Sequence, residues 1–177
     1  MRDDYLNRQI IERVLSRVRA LFPMDGSGHG FDHVLRVYHM ATRIAEEEGC
    51  DVFIVSLAAL LHDVGDHKLT ADGNENHRNA IFALLNETGV TDDQTHQIID
   101  IVEKVSFKGN GVDDAPMSAE GCCVRDADRL DAMGSIGIAR AFAYGALKGR
   151  PMFDDGQKPA LHENFSDYKN SKSHTIN

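Results

Sequence analysis

Tryptophan is absent from the sequence, proline occurs only four times and cysteine only three times. So few prolines leave long stretches without the residue that interrupts a helix, and a helical domain is expected. The three cysteines, Cys50, Cys122 and Cys123, form an odd set without Cys-x-x-Cys spacing, which argues against a thiolate zinc site. They read as reduced thiols of a cytoplasmic protein, with the adjacent Cys122–Cys123 pair as a redox site the lesser alternative. Basic residues are also short: 19 Lys and Arg face 28 Asp and Glu, a net charge of −9. That balance excludes charge-driven binding to nucleic acid or to an anionic membrane. A nucleotide substrate stays open, because a metal ion and a few basic side chains can reverse the field within one pocket. No apolar run approaches the length of a membrane span, and Met1–Tyr5 is too polar to open a signal peptide. A chain of 177 residues is long enough for one domain with a sizeable core.

What is present is helical period. Leu6, Ile10, Ile11, Val14, Leu15, Val18 and Leu21 form an i, i+3/i+4 stripe that predicts a helix over 4–22, stopped by Pro23. The Gly-rich stretch 25–30 lacks the Gly-Lys-Ser/Thr ending of a phosphate-cradling loop and reads as a turn. A second helix is expected over 31–48 and a third, apolar on every side, over 52–64. A fourth is expected over 75–86 and a fifth from a cap at Asp92 or Asp93 to about Val105. A last one begins near 118–121 and runs on to about Gly149, with glycines and alanines offering a face for close packing. Residues 151–177 read as a polar tail or partial lid. The result is an all-α, single-domain helical bundle over 1–150 with that tail behind it.

The stretch LAALLHDVGD, 57–66, is the centre of this arrangement. An imidazole and a carboxylate, His62 and Asp63, stand at the end of a helix with no polar face, where burial penalises both. A divalent cation would compensate the two together. The alternative is a His–Asp hydrogen-bonded pair closed by Gly65 as a left-handed cap. His33 lies beside the apolar face of the second helix, whereas His39 is about 240° further round and reads as surface. In the late run DADRLD, Asp128 and Asp131 share a face, and Asp126 lies about 200° from Asp128.

A histidine in HGFDHVLRV, the pair in LLHDVGD and an aspartate in RDADRLDA follow the order H…HD…D. With VSFKG at 105–109 and DADRLDAMGSIGIARAFAYG at 126–145, the chain resembles the HD-domain superfamily of metal-dependent phosphohydrolases. The longer matches resemble a bacterial branch that includes nucleoside-triphosphate pyrophosphohydrolases, and the resemblance covers about residues 5–155. The resemblance implies an HD-type bundle with His33, His62, Asp63 and Asp128 as metal ligands. Members of that branch continue with further helix beyond the point where this sequence ends, so an incomplete lid is expected.

Two nitrogens and two carboxylates leave open positions on a six-coordinate ion for water and phosphate. Mn²⁺ is the favoured ion, with Mg²⁺, Co²⁺, Ni²⁺, Fe²⁺ and Zn²⁺ as alternatives. Asp63 and Asp66 are the candidate catalytic carboxylates, Asp66 as base or acid one turn beyond the ligand. Asp131 is either an orienting partner of a ligand histidine or a surface group. Lys108, then Lys68, are the leading candidates for phosphate, with His29 near substrate and Arg78, Arg129 and Arg140 behind them. His67 and His77 are candidates for a second ion. The expected reaction converts (d)NTP to (d)NMP and pyrophosphate, with a nucleotide as the partner and a homodimer as the candidate assembly. A 5′-nucleotidase or phosphodiesterase on the same site, or a regulatory domain without turnover, are the alternatives.

Overall fold

Helix α3, Val52–Leu61, is the pillar of the structure, and nine of its ten residues are buried. Its first turn is tied by Asp51, whose carboxylate accepts the backbone N–H groups of Phe53 at 2.9 Å and Ile54 at 3.2 Å. A helix without a polar face is stable only if neighbours cover it on every side. In this computed structural model, which describes residues 2–22, 30–64, 74–105, 113–157 and 174–176, four helices do so. They are α1 (Arg2–Leu21), α2 (Phe31–Glu48), α5 (Asp92–Val105) and α6 (Ala119–Asp131). Helices α4 (Asn74–Thr88) and α7 (Gly134–Leu147) complete the bundle. The described residues contain seven helices and no strand, so the chain is all-α. None of these helices is long and apolar enough to cross a membrane.

Helix α2 turns Val34, Val37, Ala41 and Ala45 to the core, with His33 buried beside them. It ends at Gly49, whose φ of 69° is the left-handed conformation that lets the Cys50 N–H reach back to the Ala45 carbonyl at 2.9 Å. Helix α6 starts at Ser118, whose hydroxyl accepts the Gly121 N–H at 3.2 Å. It buries only small or slim side chains, Gly121, Cys123, Val124 and Ala127, and so approaches α2 and α3 closely. The Cys123 and Cys50 sulfurs lie 3.7 Å apart as free thiols. Burial, reinforced by Cys50, pushes the Cys123 thiol up to about 12.

Three expectations need correction. The third helix closes at Leu61, so His62 and Asp63 stand in the turn 62–64 rather than inside the helix. The fifth is capped by Thr91, not by Asp92 or Asp93: Thr91 and Gln94 exchange bonds, Gln94 Oε1 accepting the Thr91 N–H at 3.2 Å and Thr91 Oγ1 the Gln94 N–H at 3.4 Å. The expected long final helix is two. Met133 is extended and Gly134 has a φ of 63°, which breaks the ladder between α6 and α7. Gly137 then lies so close to the Ala132 carbonyl that any side chain would collide with it, which holds α7 folded back on the end of α6. The rest of α7 is poorly covered: Gly145 is its one buried residue, while Ile136 and Ile138 are 46% and 62% exposed. The close packing expected of its small-residue face is confined to these glycines.

Beyond α7, residues 151–157 are non-helical. The Thr175 N–H donates to the Pro151 carbonyl at 2.9 Å and the Ile176 N–H to that of Met152 at 3.0 Å.

Candidate metal centre

Four side chains from three elements meet where α3 ends. His62 and Asp63 leave α3 directly, His33 comes from the first turn of α2, and Asp128 from α6. The two imidazoles are buried, while the carboxylates of Asp63 and Asp128 are 24% and 25% exposed. The cluster is therefore dry on its nitrogen side and open on its oxygen side.

The His33 Nε2 lies 3.3 Å from His62 Nε2, 3.3 Å from Asp63 Oδ2 and 3.4 Å from Asp128 Oδ1. His62 Nε2 is 3.6 Å from Asp63 Oδ1 and 3.8 Å from Asp128 Oδ1. Donor atoms bound about 2.1 Å from one ion would stand about 3 Å apart when adjacent and about 4.2 Å when opposite. The separations fall between these limits.

The outer nitrogens determine what the inner ones present. His62 Nδ1 is 2.8 Å from the Ala59 carbonyl, which only accepts, so this nitrogen carries the proton and donates. His33 Nδ1 is 2.7 Å from Asp131 Oδ2 and donates to that carboxylate in the same way. Both Nε2 atoms of the neutral rings therefore turn lone pairs towards each other and towards two carboxylates. Lone pairs and two negative charges converging without a cation repel one another, and a divalent ion relieves the arrangement. His33, His62 and Asp128 form the group able to hold such an ion, with Asp63 beside them.

When no metal is present, a proton takes part of that role. Burial disfavours a charged His33, but hydrogen bonding to Asp128 and Asp63 outweighs it and raises its pKa to about 9.

Asp131 is the support of this centre. Besides His33, its carboxylate accepts Arg36 Nε at 2.6 Å and Nη2 at 3.1 Å, and Arg140 Nη1 at 2.7 Å. Burial raises its pKa, yet Arg36 and His33 together hold it below the ordinary carboxylate value. A carboxylate kept ionised there fixes the tautomer and direction of the His33 ring. Of the two readings open for Asp131 in the sequence, the structure has the first.

The other candidates fall in different places. His29, Asp66, His67, Lys68 and Lys108 lie outside the described residues, as does the side chain of His77. Arg78 sits on α4, exposed, and its ion pair at 3.3 Å is with Glu103 of α5. Arg129 turns to Asp114, with bonds of 3.0 and 2.5 Å. Arg140, one of the lesser candidates for phosphate, donates to Asp131 at 2.7 Å. Arg36 was missed by sequence reading; its signal was a cation one turn after His33 on the same helix face.

The HD-domain sequence model matches residues 30–133, which span α2 to α6 and all four converging side chains. The chain belongs to the HD-domain family. HD domains bind divalent metals, in keeping with this group of histidines and aspartates. YpgQ of Bacillus subtilis strain 168 is 38% identical over 152 residues, covering 85% of this chain and 74% of YpgQ. Its crystal structure in complex with ADP superposes with a TM-score of 0.71 at 33% identity, covering 86% of this chain and 74% of that one. A Lactobacillus plantarum protein superposes with a TM-score of 0.82 at 33% identity, covering 94% and 77%. An HD-superfamily hydrolase from Bacillus thuringiensis gives 0.69 at 36% identity, covering 93% and 79%.

Proposed function

We propose that this HD domain is a divalent-metal-dependent phosphohydrolase that acts on nucleotides, converting (d)NTP to (d)NMP and pyrophosphate. The observation that carries this reading is the convergence of His33 Nε2, His62 Nε2 and the Asp63 and Asp128 carboxylates, with both imidazole protons committed elsewhere. The hydrolase from Bacillus thuringiensis and the ADP-bound YpgQ support hydrolysis and a nucleotide ligand respectively.

Held by these residues, Mn²⁺ would supply a water of lowered pKa and polarisation of a phosphoryl oxygen. The protein's part is to build and orient that place. The Ala59 carbonyl and the Asp131 carboxylate accept the Nδ1 protons of His62 and His33, so both Nε2 atoms are aimed inward. Asp63 and Asp128 add the charge that makes the centre select a dication. Their partial exposure leaves the approach from solvent on the carboxylate side. Asp66 is our candidate for moving the proton of the attacking water, and Lys108 and Lys68 for neutralising phosphate.

The test is a panel of nucleoside tri- and monophosphates incubated with Mn²⁺ and the protein, with products identified by phosphorus NMR. Pyrophosphate from triphosphates, lost in Asp63→Ala, is the expected result. Orthophosphate from monophosphates would assign a nucleotidase to the same residues. Tight nucleotide binding without turnover would make the domain a regulator. Asp66→Asn should abolish turnover while Mn²⁺ still binds by calorimetry; retained turnover would remove Asp66 from the mechanism.

A further inference from the structure

Beside Asp131, residues of α2, of α6 and of the start of α7 line an open cleft of about 490 Å³. Its size matches that of pockets for small organic ligands. Arg36, His39 and Arg43 line one wall, spaced at one-turn intervals along one face of α2. In a chain of net charge −9, this is a local concentration of basic groups. Arg36 is engaged with Asp32 and Asp131, but Arg43 has no ion pair or hydrogen-bonded side-chain partner among the described residues. An exposed arginine beside an apolar hollow can take a phosphate or carboxylate.

The opposite wall is apolar. Leu130, Met133 and Ile136 line it, with Met40 at the floor of α2, and all four are 43–65% exposed. Large apolar side chains left in contact with water around a cleft mark a binding surface. Two are methionines, whose unbranched thioethers adapt to flat rings. The break between α6 and α7 creates this wall, because a continuous helix would carry Ile136 past the hollow rather than across it.

From these two walls we propose a second ligand site, distinct from the metal centre, for an organic phosphate with a flat apolar body of nucleoside-monophosphate size. Arg43 and His39 take the phosphate and the Met133–Ile136 wall takes the body. The two sites share Asp131, which lines the cleft and whose carboxylate holds His33.

The site is tested by calorimetric titration of the full chain carrying Asp63→Ala, which disables the metal centre and separates this proposal from the hydrolytic reading. Asp63→Asn replaces it if the alanine variant does not fold. The probes are dAMP, phenyl phosphate and inorganic phosphate. We expect dAMP to bind, inorganic phosphate to bind at least about tenfold more weakly, and added Arg43→Glu or Met133→Asp each to weaken dAMP at least about tenfold. Both substituted positions are exposed, so the fold survives them. No dAMP binding, or binding that ignores Arg43→Glu, would overturn the proposal. So would a dimer in sedimentation that Met133→Asp dissociates, because a second copy would then occupy the cleft.

Discussion

Helices α3 and α7 look alike as sequence and differ in almost everything else. Each is a mainly apolar run, VFIVSLAALL and GSIGIARAFAYGAL, with no acidic residue and at most one basic one. Helix α3 is buried over nine residues; α7 buries only Gly145. The difference lies in the neighbours: α3 is enclosed by α1, α2, α5 and α6, whereas among the described elements α7 packs mainly on the end of α6. Apolar character says that a helix can be buried, but the number of partners decides whether it is. The consequence is a division of labour. The over-determined end of α3 positions the His/Asp cluster, and the loosely covered α7 is left to bound a cleft and to send one residue, Arg140, back to Asp131.

The comparison can be broken most severely at the end of α3. His62→Ala or Asp128→Ala should reduce hydrolysis by at least about a thousandfold, measured as pyrophosphate release, while substitutions along α7 away from Arg140 leave it near wild type. Within α3 itself, Leu60→Ala should cost about 2–5 kcal/mol in urea denaturation, because Leu60 is completely buried and its neighbours cannot close the cavity. One step further out, Asp131→Asn removes the charged acceptor of His33 and should weaken Mn²⁺ binding about 10–100-fold by calorimetry, with the helical spectrum retained.

The pH dependence follows from His33. Its pKa is raised from 6.5 to about 9, so the metal-free protein gains stability from its proton fully below pH 6.5 and loses that gain as pH rises through about 9. Mn²⁺ has to displace the same proton. Its affinity should therefore climb by up to about tenfold per pH unit as pH rises towards about 9 and level off above it, as titrations at stepped pH would reveal. The smallest effect belongs to α7: Ile138→Ser, at a position 62% exposed, should change stability by no more than about 0.5 kcal/mol. A loss as large as that of Leu60→Ala would mean that α7 is covered as tightly as α3.

Much of this was legible without coordinates. Periodicity located the helices, because a buried stripe has to recur with the turn of the helix. The order of His33, His62, Asp63 and Asp128 singled out the residues that the structure brings together. Local chemistry that had a visible signal was still misread: Thr91 and Gln94 spell a capping box, but the neighbouring aspartates were the more obvious caps. The break at Met133–Gly134 was hidden because glycine tolerates both helical and left-handed backbone, and only the approach of Gly137 to Ala132 requires the second.

The sequence by itself determined an all-α chain, a buried helix starting at Val52 and the kinds of side chain that gather near its end. It could do so because propensity, period and donor type are properties of residues and their near neighbours. Only the tertiary structure decided that Asp131, 98 residues from His33, would hold its ring, that Arg36 and Arg140 would hold Asp131, and that Cys50 would lie against Cys123. Each of these is a meeting of separate helices, set by how their faces pack and by where α6 ends. No local pattern encodes those distances.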